Sequence, residues 1–448
     1  MSDLPGDRIY RRAMSRRDFL WLVSASAAGA ALPGCAVDPV TGEKTLMLVS
    51  ESQEVAIDRE SSPHQFSADF GASQDARLNA YLDQVGRRLA SRSHRPGMPY
   101  SFRAVNATYV NAYAFPGGSI AATRGILTEI EDEAELAALL GHEIGHVNAR
   151  HTAEQMSKGV LTQLAVAGVG LAAQAYGGSQ IASLAQDLGG IGAGALLAHY
   201  SRDNEREADA LGLEYMSRAE LNPAGMVGLM EILQTESRER PSAIELMFAT
   251  HPMSDERLAT ARSAVEERYA GARSLPRQRE RYQDETARLR QIKGAIEAMQ
   301  RADGAMKRKQ FSRAEEDLRT ALKQAPNDYA GLVMMAKAQV GLGHADRARA
   351  YSDKAKAIYP REAQAHHVGA VAALMQRDYD GAYQDLDAYE RLLPGNSNTA
   401  FLKGVAREGA RDVPGAAREY ARYLRQTQKG DQARYAYQRL AQWGYVKR

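Results

Sequence analysis

Apolar positions recur with a helical period at Leu78, Leu82, Val85 and Leu89, so residues 76–90 are predicted to form an amphipathic helix. Ahead of it, Ser50 and Ser52 precede acidic residues, with Glu54 in what would be a first turn, and this reads as a helix start. Pro96-Gly97 and Pro99 break the pattern, and residues 100–110 (YSFRAVNATYV) alternate as a strand does. Asn111–Pro116 and residues 119–127 then read as two short strands around a tight Gly117-Gly118 turn. Acidic residues from Glu131 to Glu135 suit the positive end of a helix, which the pattern carries to about residue 150. Residues 202–218 and 223–235 are again helical. Residues 159–198 are apolar and rich in Gly and Ala. Their longest unbroken run, 164–173, falls well short of the roughly 18 residues a membrane span needs. They are expected to pack over the core as helices or to form a lid, with membrane contact as the alternative.

After Pro276 and the charge-dense stretch 270–290, the pattern becomes periodic. Pro326, Pro360 and Pro394 stand 34 residues apart, twice over. Twelve residues before each proline sit Ala314, Ala348 and Ala382; twenty-four before sit Ala302, Ala336 and Ala370. A fourth register carries Gly404 and Ala416, with Gln428 in place of the proline. Small residues at fixed points let two antiparallel helices approach closely, and a proline ends the second. The period resembles degenerate tetratricopeptide repeats: four pairs over 295–430 with an end cap at 431–448, stacked into a superhelix with a concave, basic groove. The expected division is therefore a first unit over 35–270, a linker helix over 271–294, and repeats over 295–448.

Composition narrows the function classes. The 448 residues are 44% hydrophobic and 25% charged, ordinary globular values that exclude a disordered or fibrous chain. A formal net charge of +2 argues against nucleic acid as a partner. That total hides a division: residues 291–448 carry 27 basic and 18 acidic side chains, a balance of +9, which leaves −7 for residues 1–290. The basic part is thus a candidate to bind the acidic one.

The single cysteine, Cys35, excludes an intramolecular disulfide framework. Ser15-Arg16-Arg17-Asp18-Phe19-Leu20 precedes a short Ala-rich apolar stretch, the form of a bacterial twin-arginine export signal. Leu32-Pro33-Gly34-Cys35 resembles the lipobox of bacterial lipoproteins. The resemblance implies removal of residues 1–34 and a lipid on the Cys35 thiol; an uncleaved anchor with an incidental cysteine is the alternative. Ala36, in place of the aspartate that marks retention at the inner membrane, favours the periplasmic face of the outer membrane.

Candidate chemistry centres on Gly141-His142-Glu143-Ile144-Gly145-His146. On a helix, His142 and His146 share one face a turn apart and can occupy two corners of a zinc tetrahedron, with Glu143 beside them as general base toward water. Two histidines do not complete a catalytic zinc site, so a third ligand is needed. The segment SRDNEREADALG offers Glu205, and Asp209 one turn on can accept the free ring N–H of His142.

Taken together, DPVTGEKTLMLVS, NAYAFPGGSIAATRGIL, ELAALLGHEIGHVNARH, SRDNEREADALG and THPMSDER resemble, in this order, the zinc metalloproteases of gluzincin type that include the HtpX heat-shock protease and the CAAX prenyl protease. The likeness is greatest to periplasmic members that join the protease to tetratricopeptide repeats. It implies an α+β fold: a mainly helical zincin-type domain with a small sheet, followed by an all-α solenoid. It implies one Zn2+ per chain on His142, His146 and Glu205, with Glu143 as the base; Glu207 is passed over because the family's ligand stands four before the aspartate. His251, in the THP run, is implied to stand near the metal, either as a fourth ligand that holds the enzyme latent or as a donor to the oxyanion. A capping histidine at a loop is the alternative.

His151, five after His146, falls off the ligand face of a continuous helix and is read as structural, as are His64, His94, His199, His344, His366 and His367. Residues 117–124, Gly118, Ser119, Ile120 and Ala121 among them, are candidates for an edge to which an extended substrate adds as a strand; the alternative is that they only complete the sheet. The expected function is peptide-bond hydrolysis in unfolded or misassembled envelope proteins, with the repeats contacting partners such as outer-membrane assembly machinery and a lipid tethering the chain to the membrane. A chaperone or assembly scaffold with little proteolytic activity is the competing expectation.

Overall fold

The computed structural model describes residues 35–157 and 200–446; the expected export signal and the apolar stretch 159–198 lie outside them. Strand β1 (Cys35–Val37) pairs antiparallel with β2 (Lys44–Leu46). Helix α1 (Glu51–Ala68) starts at Ser50 in a capping box: the Ser50 hydroxyl accepts from the Gln53 amide, and the Gln53 side chain accepts from the Ser50 N–H. Helix α2 (Ala76–Ala90) buries Leu78, Leu82, Val85 and Leu89, the residues whose spacing predicts it.

A three-stranded sheet follows from β3 (Ser101–Val105), β4 (Ala112–Ala114) and β5 (Ser119–Thr123), in the order β3-β5-β4. Gly118, at φ +99°, closes the turn between β4 and β5, where its N–H donates to the Phe115 carbonyl. This order corrects one expectation. Gly118, Ser119, Ile120 and Ala121 do not form an edge, because β5 is paired on both sides: parallel to β3 and antiparallel to β4. Alternation marks which segments are strands, but the parallel crossover that returns the chain beside β3 is a long-range choice that alternation does not record. The edges among the described residues are β3, bridged by Ala72 at Val105, and β4, which packs on the long central helix α4.

Short helix α3 (Arg124–Glu129) leads into α4 (Glu133–Asn148), which Asp132 caps by accepting from the Glu135 N–H. Helix α4 is buried along its whole length. Further on among the described residues come α5 (Arg202–Arg218), α6 (Ala224–Glu239), α7 (Pro241–Thr250) and α8 (Asp255–Glu267).

The 271–294 segment differs from a linker helix. It holds two short helices, α9 (Arg279–Glu285) and α10 (Ala287–Gln291), strapped to the start of α4. Arg277 binds Asp132 and Glu135, Arg279 binds Glu131, and Arg281 binds Glu133. Tyr282 is fully buried, with its hydroxyl donating to the Leu127 carbonyl at 2.7 Å. The density of charge that marks a boundary in the sequence is here spent on the acidic N-terminus of α4.

Four helix pairs then stack: 293–307 with 311–324, 329–341 with 345–358, 364–375 with 379–392, and 397–409 with 413–424, closed by a single helix over 431–442. The six periodic alanines of the first three registers are fully buried. In the fourth, a Cβ on Gly404 would lie 2.4 Å from the Tyr420 ring, so glycine is what lets these two helices meet.

The repeats share a continuous core with the first unit, running from Leu78 to Ala338. At the seam, Arg124 forms a buried ion pair with Asp328, which also caps the helix over 329–341 by accepting from the Gly331 N–H. Ser67 donates to buried Glu362, and Gln300 donates to the Thr108 carbonyl at 2.7 Å. The polarity of the ion pair is the reverse of the bulk balance, since the acidic part supplies the arginine and the basic part the aspartate.

Within the repeats, burial, with nearby Lys337, pushes the His367 imidazole down to about 4 from its ordinary 6.5. The fold holds the ring neutral, so between those values the unfolded chain takes up a proton that the folded chain does not, and stability falls as the pH drops. Denaturant midpoints measured across this window are expected to fall less steeply for His367→Gln than for the parent.

Candidate metal centre

Helices α4 and α5 cross at backbone contact because small residues face each other. A Cβ on Gly141 would stand 3.3 Å from the Gly212 Cα, and one on Gly145 would stand 2.9 Å from the Ala208 carbonyl oxygen. This approach brings the His142/His146 face of α4 onto the Glu205/Asp209 face of α5. The loop after α7 adds His251, held at the helix end by its N–H donating to the Met247 carbonyl.

One potential ligand atom each from His142, His146, Glu205 and His251 lies within 4.8 Å of the others, and all four residues are buried. The Nε2 atoms of His142 and His146 face each other at 3.0 Å. Glu205 Oε1 stands 3.3 Å from His146 Nε2 and 3.0 Å from His251 Nδ1. Glu143 is fully buried beside them, and neither of its carboxylate oxygens has a hydrogen-bond partner; His251 Nε2 also has none. Two ring nitrogens turned toward each other beside a carboxylate, with a second carboxylate unpartnered, make an arrangement that a cation completes. Three imidazoles and a carboxylate are a donor set that suits zinc.

The surroundings fix the donors. His142 Nδ1 lies 3.0 Å from Asp209 Oδ1, so the ring donates there and leaves Nε2 bare toward the cluster. Buried Arg257 donates to Glu205 at 2.6 Å, to both Asp209 oxygens at 2.7 and 2.8 Å, and to the Pro252 carbonyl. Tyr200 stacks on His146 with ring centroids 3.7 Å apart, and its hydroxyl pairs with Thr152.

Burial raises the Glu143 carboxyl above its ordinary range, although His251 and His142 oppose it. Burial also pushes His146 well below its ordinary value, so the ring is neutral, the form that ligates. Burial acts to raise Glu205 as well, but the electrostatic pull of the adjoining His251 and His142 rings and the hydrogen bonds from His146 and His251 outweigh it and hold this carboxylate well below the usual range.

Of the residues predicted from sequence, His142, Glu143, His146, Glu205 and His251 converge here, and Asp209 stands behind His142. Glu207 points elsewhere, to His151. Cys35 opens β1, and its side chain lies outside the described residues. Three contributors escape the sequence argument: Tyr200, Arg257 and His151, which sits 2.9 Å from His146 Nδ1. Arg257 had a signal, its place in the THPMSDER run; Tyr200 had only its position next to the SRDNE segment.

The match to known families falls on this architecture. Residues 76–265, which contain every one of the converging side chains, match peptidase family M48. This part of the chain is similar to peptidase family M48. Residues 305–372 match the tetratricopeptide repeat. The chain is 31% identical over 236 residues to the beta-barrel assembly-enhancing protease of Yersinia pestis, covering 52% of this chain and 48% of that protein. It is 31% identical over 193 residues to the protein of that name in Escherichia coli strain K12, covering 42% and 39%. It is 32% identical over 183 residues to the mitochondrial metalloendopeptidase OMA1 of Schizosaccharomyces pombe, covering 40% and 50%. The chain thus spans half or less of the length of these relatives. The M48 domain takes zinc as its cofactor, and the donor set described above fits it.

Proposed function

We propose that the chain is a zinc endopeptidase of the bacterial cell envelope that hydrolyses unfolded or misassembled proteins, chiefly those of the outer membrane. The observation that carries this reading is the unpartnered Glu143 carboxylate beside four converging donors. His142, His146 and Glu205 would hold the zinc, and bound zinc supplies a Lewis acid that lowers the pKa of water and polarises a carbonyl. Glu143 takes a proton from the attacking water and returns it to the leaving amine; its raised affinity for a proton suits both steps. Asp209 keeps the proton of His142 on Nδ1, and Arg257 holds Asp209 and Glu205 in register.

His251 turns Nδ1 into the cluster, which favours the fourth-ligand reading over the oxyanion donor. A catalytic zinc keeps one position open, so this histidine must leave for turnover. The open edge of β4, against α4, is the place for an extended peptide to add as a strand, a mode that reads backbone more than sequence. The repeats serve partner or substrate binding, and the relatives named for beta-barrel assembly support an outer-membrane setting. Export by the twin-arginine route and a lipid on Cys35 belong to the same proposal, supported by the N-terminal sequence.

Casein hydrolysis with and without a chelator tests the reading. The expected outcome is cleavage that the chelator abolishes and zinc restores. Cleavage that is indifferent to the chelator would remove the metal from the reaction, and no cleavage from zinc-replete protein would leave the scaffold function in its place.

A further inference from the structure

His146 turns Nε2 into the donor cluster and Nδ1 away from it, 2.9 Å from the Nδ1 of His151. The other nitrogen of His151, Nε2, lies 3.2 Å from Glu207 Oε2. His151 is buried, whereas the Glu207 side chain is 37% exposed. A neutral imidazole carries one proton, and an ionised carboxylate only accepts. These constraints leave one consistent arrangement.

We infer that His151 and Glu207 form a relay that fixes the tautomer of His146. Glu207 accepts from His151 Nε2–H, which leaves His151 Nδ1 bare. That atom accepts from His146 Nδ1–H, and His146 Nε2 is left bare for a metal. His142 reaches the same state through one contact, with Asp209; His146 reaches it through two. Both carboxylates come from α5, two residues apart, and each serves a different histidine of α4. His151 and Glu207 are positioning residues, and the inference rests on the zinc reading above.

A break in the helix makes the contact possible. On a continuous helix a residue five positions on would lie about 140° round from His146. Helix α4 instead ends at Asn148, Arg150 takes a left-handed conformation at φ 58°, and the chain becomes helical again over 151–157. The conformation is unfavourable for arginine and persists because the side chain is tied down: Nε donates to Glu54 at 2.9 Å and a terminal nitrogen to the Val49 carbonyl at 2.6 Å. The turn carries His151 back over the ring of His146.

Two measurements on the full chain test the relay. In zinc-loaded protein carrying 15N-histidine, long-range 1H–15N spectra are expected to show His146 protonated on Nδ1 and His151 on Nε2; a proton on His151 Nδ1 overturns the inference. By chelator competition, His151→Ala and Glu207→Ala are expected to weaken zinc binding roughly 10- to 100-fold. Glu207→Gln, which can still accept, should lose less. If His151→Ala does not fold, Glu207→Ala carries the test, and its metal-free unfolding midpoint should match the parent's. Unchanged zinc affinity in Glu207→Ala, with the parent binding zinc, overturns the relay alone; a parent that binds no zinc overturns the metallopeptidase reading with it.

Discussion

The Glu143→Gln protein is expected to hold zinc as the parent does and to hydrolyse an unfolded substrate roughly 10²- to 10⁴-fold more slowly, the range a positioned general base supplies. The substitution changes almost nothing else. Neither carboxylate oxygen of Glu143 accepts a hydrogen bond, and Oε1 stands 3.8 Å from His251 Nε2, so the amide breaks no hydrogen bond. None of the four converging donors belongs to it, so the ligand set is intact. Initial rates on casein, read beside zinc content from elemental analysis, check the result. Near-parental rates would remove Glu143 from the chemistry; loss of zinc would mean that it serves the metal instead.

Arg257→Met is expected to cost the metal-free protein about 3 to 5 kcal/mol of stability, the usual consequence of removing one member of a buried ion-pair network. Methionine fills much of the volume but donates nothing, and Arg257 is the residue that satisfies both Glu205 and Asp209. The guanidinium itself is buried, so water does not easily replace it. Denaturant unfolding of chelated parent and variant measures the difference. A loss below about 1 kcal/mol, the scale of an exposed ion pair, would show that the network is solvated and contributes little.

Much of this centre was legible because its parts obey local rules. His142 and His146 are one turn apart on a helix whose start and length follow from Asp132 and the apolar run behind it. Asp209 is one turn from Glu205, so if one faces the cluster the other does too. The alanine period of the repeats is likewise local: each buried alanine marks a helix crossing. What escaped depends on departures from those rules. The place of His151 requires a left-handed residue at Arg150, and no glycine or asparagine advertises it. The central position of β5 requires a parallel crossover. The seam between the two parts is held by Arg124 and Asp328, single residues whose charges oppose the balance of the regions that bear them. Net charge describes long-range fields, and a close-packed seam is decided by individual partners.

Zinc K-edge absorption spectroscopy of the purified full-length protein, joined to elemental analysis, bears most directly on the central claim. One zinc per chain in a nitrogen and oxygen environment with at least two imidazoles is the result expected. A protein without bound zinc, or one whose zinc shows fewer than two imidazoles, would contradict it.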